Sequence, residues 1–290
     1  MASILDSLVN GLRAWLYAGR ALQTQTMRVV ETEAIVLHTH KLAEADKIAV
    51  CMTRKAGLVR GVARGSRRLK SKFGASLEPF TLINLTFHEK EARELVTIRG
   101  AEIIKSYFGT ARDPEALAAL EYIAELVREF ATPNHSDERL FRMLSASVEA
   151  LAGDPHLSQA IFAYSELWAL KIAGFLPDFT VCGGCGRGLR DASGEGVHIN
   201  VEGVVRCRAC PGVGGQFFEA EAYGLLSSMR NMRPKVWSEA YESLPTKSRQ
   251  SISEVAKRLV RRTLEKEIRR VPGAARAAGD FGAVERKPAG

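Results

Sequence analysis

Four of the five cysteines stand in two close pairs whose spacing is typical of a metal site. Cys182 and Cys185 form one CxxC pair, Cys207 and Cys210 form a second, and residues 186–206 separate the pairs. A CxxC turn brings two thiolates to one metal ion, so two such turns supply the four ligands of a tetrahedral site. Because the protein fills all four positions, the spacing predicts a structural Zn²⁺ that stabilises folding rather than a catalytic one.

Other uses of these cysteines match the spacing less well. Cys182 and Cys185 could instead form a redox-active pair, but such a pair would not require the second CxxC pair. His198 could be a metal ligand, but it is needed only if one of the four cysteines does not bind the metal. The chain has no clean secretory signal, so we expect a cytoplasmic protein with reduced cysteines. Cys51 stands alone in an apolar run and is predicted to be a small buried residue.

A second chemical signal is a cluster of positive charge between residues 54 and 72. This stretch contains eight basic residues and no acidic one: Arg54, Lys55, Arg60, Arg64, Arg67, Arg68, Lys70 and Lys72. Such a cluster is costly unless an anion lies against it. A basic groove with Phe73 available for stacking predicts binding of single-stranded nucleic acid, and a solvated surface loop is the alternative.

A second basic cluster lies near the C-terminus, on a predicted helix. Its members are Lys257, Arg258, Arg261, Arg262, Lys266, Arg269 and Arg270, with Glu265 and Glu267 among them. A charged solvent face and a phosphate-binding face both fit this pattern, and the sequence leaves the choice open.

Composition agrees with a soluble globular protein. The chain has 290 residues, with 46% hydrophobic and 26% charged residues, and no apolar run long enough for a membrane span. The net charge of +8 makes a polyanionic partner plausible. No Walker A loop, HExxH, GxSxG or GxGxxG motif occurs, so ATP hydrolysis, metalloprotease chemistry, serine hydrolase chemistry and dinucleotide binding have no support in the sequence.

The elements that must position these residues indicate an α+β fold. Five short runs rich in β-branched residues between residues 29 and 105 predict an antiparallel barrel of the OB-fold type. From residue 113 the apolar period changes to that of helices, and residues 197–205 suit a hairpin between the cysteine pairs. We expect an N-terminal extension at 1–26, an OB-fold domain at 27–105, a helical domain at 106–270 with a zinc-ribbon-like module at 180–212, and a flexible tail at 271–290.

The N-terminal extension allows three interpretations. Apolar residues recur at helical spacing between Ile4 and Leu16, which is the pattern of an amphipathic helix that either packs on the body of the protein or serves as a membrane anchor or presequence. Met27 is the alternative start of the protein, because the strand-like pattern begins directly after it.

Several ordered motifs resemble the RecO family of DNA repair proteins. The resemblance rests on the stretches at residues 32–37, 44–48, 57–65, 67–74 and 77–80, and on Phe175-Leu176-Pro177 before the cysteine pairs. It covers residues 28–270, while the N-terminal extension and the C-terminal tail depart from the family.

This resemblance implies a non-enzymatic recombination mediator. Such a protein binds single- and double-stranded DNA, anneals complementary strands, and with RecR helps RecA to load onto DNA coated by single-strand-binding protein, in the bacterial cytoplasm and nucleoid. The resemblance places phosphate binding at Arg60, Arg64, Arg67, Arg68, Lys70 and Lys72, and zinc at the four cysteines. The main alternative is an RNA-binding or transcription accessory factor, since such proteins also use OB-folds and zinc ribbons.

Overall fold

A computed structural model describes residues 28–89, 95–132, 135–189, 194–210 and 214–265. The predicted extension at 1–26 and the predicted tail at 271–290 lie outside the described residues. In the described part of the chain, no helix combines the length and the apolar character that crossing a membrane requires.

The N-terminal part is a closed five-stranded barrel with the strand order β1-β2-β3-β5-β4. Its strands are β1 (Arg28–Lys41), β2 (Lys47–Thr53), β3 (Gly57–Ala63), β4 (Thr81–Glu89) and β5 (Val96–Ser106). Four of the pairings are antiparallel, whereas β3 and β5 are parallel. The prediction of an antiparallel barrel is therefore wrong at this one pairing, because strand directions cannot alternate all the way around a ring of five.

Strand β1 joins the barrel to the helical part of the molecule because both of its faces are buried. Ala34 and Val36 point into the barrel core, while Ile35 and Leu37 belong to the core formed with the helices. Successive side chains of a strand point to opposite faces, so one apolar run serves two cores.

The helical part begins at Asp113, whose side chain accepts a hydrogen bond from the Ala116 N–H at 2.8 Å. Asp137 caps the second helix in the same way through the Leu140 N–H at 3.0 Å. The helices are α1 (Pro114–Phe130), α2 (Glu138–Gly153), α3 (Ser158–Ile172), α4 (Ala220–Ser228), α5 (Pro234–Glu242) and α6 (Thr246–Leu264). Helix α3 is buried on most of its surface, and its fully buried Glu166 accepts a hydrogen bond from the Tyr122 hydroxyl of α1.

A small three-stranded sheet lies between α3 and α4 in the chain. Its strands are β6 (Val197–Ile199), β7 (Val205–Cys207) and β8 (Gln216–Phe218), in the antiparallel order β7-β6-β8. Val197 and Ile199 are fully buried in the core shared with the helices, so the sheet is packed onto the helical body.

Polar and backbone contacts also hold the barrel against the helices. Arg54, in the turn between β2 and β3, makes ion pairs with Glu33 of β1 at 2.6 Å and with Glu138 of α2 at 3.0 Å. Beside it, Gly57 has a positive φ of 67°, and a Cβ there would lie 2.1 Å from the backbone oxygen of His135. Only glycine allows this close approach, so the turn fixes where the two parts meet.

Candidate metal centre and basic surface

The two CxxC pairs come together into one cluster. The Sγ atoms of Cys182, Cys185, Cys207 and Cys210 all lie within 4.8 Å of one another. The Sγ atoms of Cys185 and Cys207 are 4.0 Å apart. Sulfur ligands of a tetrahedral Zn²⁺ lie about 3.8 Å apart, given a Zn–S distance of about 2.3 Å, whereas a disulfide is about 2.05 Å long. The spacing of the sulfurs therefore suits a shared cation rather than a cross-link.

Backbone N–H groups and glycines hold the sulfurs in place. The N–H groups of Gly184 and Cys207 donate to Cys182 Sγ at 3.4 and 3.3 Å. A Cβ at Gly183 would lie 2.5 Å from Val204 Cγ1, and a Cβ at Gly184 would lie 3.0 Å from Cys210 Cβ. The two glycines between the first pair of cysteines thus allow the turn to fit under the second pair.

The electrostatics of the cluster also favour a cation. Burial opposes ionisation of Cys182, but hydrogen bonds from the backbone of Cys207, Cys185 and Gly184 outweigh it and lower its pKa to about 6. Interactions with Cys207 and Cys185 instead raise the pKa of Cys210 to about 12. A divalent cation placed among the four sulfurs would favour the thiolate form of each of them.

The six predicted phosphate-binding residues lie on β3 and in the turns that follow it. All six side chains are exposed: Arg60, Arg64, Arg67, Arg68, Lys70 and Lys72. We call residues 64–72 the basic loop. Two of the six residues attach this loop to the rest of the barrel. The guanidinium of Arg67 donates to the backbone oxygens of Ala43 and Glu44 at 3.1 and 2.9 Å, and Lys72 donates to that of Arg99 at 2.6 Å.

The other four cations are more available. Within the described ranges, no side-chain hydrogen bond or ion pair was found for Arg60, Arg64, Arg68 and Lys70. Uncompensated cations so close together create a positive potential that attracts phosphate groups.

Phe73 does not take the position expected for base stacking. Only 3% of its surface is exposed, and it packs in the barrel core with Leu77. The Phe73 N–H donates to Ser71 Oγ at 3.2 Å, and Ser76 Oγ donates to the Phe73 oxygen at 2.6 Å. These turns direct the ring inward, so Phe73 anchors the end of the basic loop instead of stacking on bases.

The second basic cluster is divided between structure and surface. Arg258 of α6 donates to the Asn200 oxygen at 3.3 Å and so joins the helix to the small sheet. Arg261 and Arg262 are exposed, whereas Lys257 is half-buried. Lys266, Arg269 and Arg270 lie outside the described residues. At Arg258 the cluster therefore supports the fold, while its exposed members remain candidates for phosphate contact.

A groove of about 910 Å³ between α2, α3 and the start of α5 was not predicted from the sequence. Its lining includes the cations Arg139, Arg142, Lys171, Arg233 and Lys235 and the apolar side chains of Met143, Trp168, Ile172 and Met232. These residues come from three separate segments, 139–143, 168–172 and 232–235, and only the packing of the helices brings the segments together. Glu149 also lines the groove, but its carboxylate is paired with Lys105 at 2.6 Å, so the combination suits an anionic ligand that also carries apolar groups.

Lys171 shows how crowded the positive charge is at this groove. Burial, followed by repulsion from Arg230 and Arg139, lowers the pKa of its ammonium group. The Lys171 Nζ lies 3.8 Å from the ring centroid of Trp168 and donates to the Arg230 oxygen at 3.5 Å. An anion bound here would relieve the repulsion among these cations.

A closed five-stranded barrel with a basic loop, packed on a helical body with a four-cysteine cluster, defines a two-part α+β protein. Residues 27–107 match the family model described as Recombination protein O N terminal, and residues 111–271 match Recombination protein O C terminal. The chain belongs to the RecO family of DNA repair and recombination proteins.

Individual relatives agree with the family assignment. The chain is 32% identical to the DNA repair protein RecO of Frankia casuarinae over 254 residues, which cover 87% of this chain and 100% of that protein. It is 36% identical to the RecO protein of a Nocardioides species over 200 residues, which cover 68% of this chain and 80% of the relative. The matches therefore extend across both parts of the molecule.

Proposed function

We propose that this protein is a recombination mediator that acts on DNA without catalysing a reaction. It would bind single- and double-stranded DNA, anneal complementary strands, and together with RecR assist the loading of RecA onto DNA coated by single-strand-binding protein. The observation that carries this proposal is the exposed, uncompensated basic loop on the barrel of a RecO family member.

The topology of the barrel supports DNA binding by this surface. The order β1-β2-β3-β5-β4 with a parallel β3–β5 pairing is the arrangement that we assign to an OB-fold. OB-folds bind nucleic acids on the face of strands 2 and 3 and on the loops that join strands 1 to 2 and 4 to 5. Arg60 lies on β3, and Arg67 attaches the basic loop to the β1–β2 connection through the backbone oxygens of Ala43 and Glu44, so the cations lie beside such a binding face.

Annealing needs only the physical properties that these surfaces provide. Two complementary strands repel each other through their phosphates, and a cationic surface that neutralises some of these charges lowers the repulsion. Contacts to phosphates leave the base edges free to pair and carry no sequence information. We therefore propose weak sequence preference and steep dependence of binding on salt.

We further propose that the cysteine cluster holds one structural Zn²⁺. The four sulfurs are close enough to share the ion, and they leave no ligand position open for a substrate. Zinc bound here would stabilise the turns around the small sheet.

The groove between α2 and α3 is our candidate surface for the single-strand-binding protein. The acidic tail of that partner has the charge that Arg139, Arg142 and Lys171 would bind, and the apolar lining would take up its uncharged side chains. The same protein would then contact both the coated DNA and the protein that coats it.

The experiment that tests the proposed function measures annealing of complementary strands coated with the cognate single-strand-binding protein, without nucleotide. We expect clear acceleration by the unsubstituted protein. A variant with Arg68→Ala and Lys70→Ala should bind single strands more weakly, and the slope of log affinity against log salt should become shallower by about 1.4, since each phosphate contact contributes about 0.7.

The matched control carries Arg112→Ala and Lys247→Ala, which remove two exposed cations from other surfaces. We expect this control to keep the affinity and the slope of the unsubstituted protein. Equal losses in both variants would show that net charge, not the basic loop, determines binding. Preference for RNA over DNA of equal length would favour the RNA-binding alternative.

A further inference from the structure

The outer face of the small sheet carries a row of three side chains that no function described so far uses. In β6, Val197 and Ile199 are buried against the helical body, so His198 between them points to the opposite face. His198 pairs in register with Arg206 of β7 and with Phe217 of β8. Arg206, His198 and Phe217 therefore form one line across all three strands, which we call the sheet row.

The side chains of the sheet row are close together and reach the surface. The rings of His198 and Phe217 lie 5.1 Å apart, measured between centroids, and all three side chains are partly exposed. The Nε of Arg206 is buried and has no hydrogen-bond partner in the described part of the chain. At Gly215, a Cβ would lie 3.5 Å from His198 Cβ, so glycine leaves this flank of the row uncovered.

Positive charge lies on the β7 side of the sheet row. Arg208 follows β7 directly and is exposed, whereas the exposed Glu219 follows β8 on the other side. Of the remaining charges, Glu195 pairs with Arg187 at 3.5 Å, and Glu202 lies in the turn between β6 and β7. Arg206 and Arg208 have no ion pair with any described residue, so this side of the sheet can accept an anion.

We propose that the sheet row is a second binding site for single-stranded nucleic acid, separate from the basic loop. Bases would stack on the rings of Phe217 and His198, while Arg206 and Arg208 would contact phosphates. Aromatic side chains on an exposed sheet, flanked by cations, bind unpaired bases in this way, and stacking tolerates any sequence. The inference deepens the proposed function and rests on it, because a protein that holds both strands brings them together for annealing.

An acidic protein segment is the other occupant that the positive charge would accept, but the arrangement of the row favours bases. An acidic segment would be satisfied by the arginines and would not need two neighbouring rings in line with them. A base has a planar face and a linked phosphate, and so matches an aromatic pair beside a guanidinium.

The test compares a sheet-row variant, Arg206→Gln with Phe217→Leu, with a matched control, Arg112→Gln with Phe175→Leu. Phe175 is 60% exposed at the end of α3, so the control removes one exposed aromatic ring and one exposed arginine elsewhere. The measurement is the number of labelled single strands bound per zinc-loaded full-length chain at saturation, together with the affinity for each strand.

We expect the unsubstituted protein and the control to bind two strands, and the sheet-row variant to bind the second strand at least about ten-fold more weakly. Arg68→Ala with Lys70→Ala should weaken binding of the other strand. Combining these substitutions with those of the sheet-row variant should weaken binding of both strands. Phe217→Tyr should retain the second strand, because it keeps the ring. Unchanged zinc content and far-UV circular dichroism exclude misfolding as the cause.

Two strands bound with unchanged affinities by the sheet-row variant would overturn this inference and leave the proposed function intact. Loss of binding in the sheet-row variant, with no effect of the basic-loop substitutions, would support the inference and contradict the role of the basic loop. If the unsubstituted protein binds no strand, both are overturned. If the sheet-row variant loses only an acidic peptide and no strand, the row binds protein and the inference is wrong.

Discussion

At the scale of single residues, the same side-chain type performs different tasks according to its neighbours. Arg54 is held between Glu33 and Glu138 and joins the barrel to α2. Lys72 is tied to a backbone oxygen, whereas Arg68 has no such tie to a described residue. A count of positive charges along the sequence cannot separate these cases, because the partners of Arg54 and Lys72 lie far away in the chain.

His38 provides a prediction about pH at this scale. Burial, followed by the positive charges of Arg128 and His40, lowers its pKa from 6.5 to about 4. The unfolded chain then binds more protons than the folded protein between these two pH values, so stability is lost as the pH falls from 6.5 towards 4. Between pH 7 and pH 5, His38 should account for a loss of roughly 1–2 kcal/mol in the free energy of unfolding.

The measurement is chemical denaturation of the unsubstituted protein and of His38→Gln at pH 7 and pH 5. His38→Gln should show a smaller decrease in stability on acidification, since glutamine does not titrate. His156→Gln, at an exposed histidine, is the control and should behave like the unsubstituted protein. An identical decrease in all three proteins would contradict the assignment to His38.

At the scale of elements, the small sheet depends on the cysteine cluster. Each of its strands has only three residues, which is too short for independent stability. The first cysteine pair is attached to β7 by the hydrogen bond from Gly183 N–H to the Val205 oxygen at 2.8 Å, and Cys207 is the last residue of β7. A metal shared by both pairs would therefore fix the edge of the sheet.

Removal of the metal should consequently loosen the sheet and spare the barrel. We expect one zinc per chain in the purified protein, and well below one after treatment with a chelator or in Cys207→Ser. Amide hydrogen exchange should then accelerate in β6 and β7, while β4 keeps its protection because the barrel has its own core. Cys51→Ala is the control for zinc content, since this cysteine lies in the barrel and outside the cluster and alanine adds no polar group to the barrel core. Full zinc content in Cys207→Ser would contradict the proposed site.

The elements also show what sequence patterns can and cannot predict. The α+β class, the strands followed by helices, and the meeting of the four cysteines were predictable, since periodicity and CxxC spacing are local properties. Strand β8 and helix α5 (Pro234–Glu242) were not predicted. Each is too short for a periodic pattern of apolar residues to be recognised in the sequence. Phe73 was predicted to be available for base stacking, but it points inward. This prediction was wrong because the turns held by the Ser71 and Ser76 side chains determine the direction of the ring.

At the scale of the whole molecule, one continuous core links the two parts. Ile35, Leu37 and Met52 of the barrel share a hydrophobic cluster with residues of the helices. The basic loop and the groove beside α3 are thereby carried by one packed body instead of by parts joined through a free linker. This matters for a mediator, because contacts with DNA and with a DNA-bound protein can then act at a fixed separation.

The groove allows the two contacts to be separated by mutation. Arg139→Ala with Lys171→Ala removes two of its cations, and both side chains are remote from the basic loop in the chain. We expect about ten-fold weaker binding of a peptide with the sequence of the acidic tail of the single-strand-binding protein, because charge-assisted contacts are lost. Affinity for bare single-stranded DNA should stay the same, so annealing should fail only on coated strands.

Fluorescence anisotropy of the labelled peptide and of the labelled strand measures both affinities, with Arg112→Ala and Lys247→Ala as the control. Equal weakening of peptide and strand would mean that the groove belongs to the DNA-binding surface, and unchanged peptide binding would place the partner elsewhere.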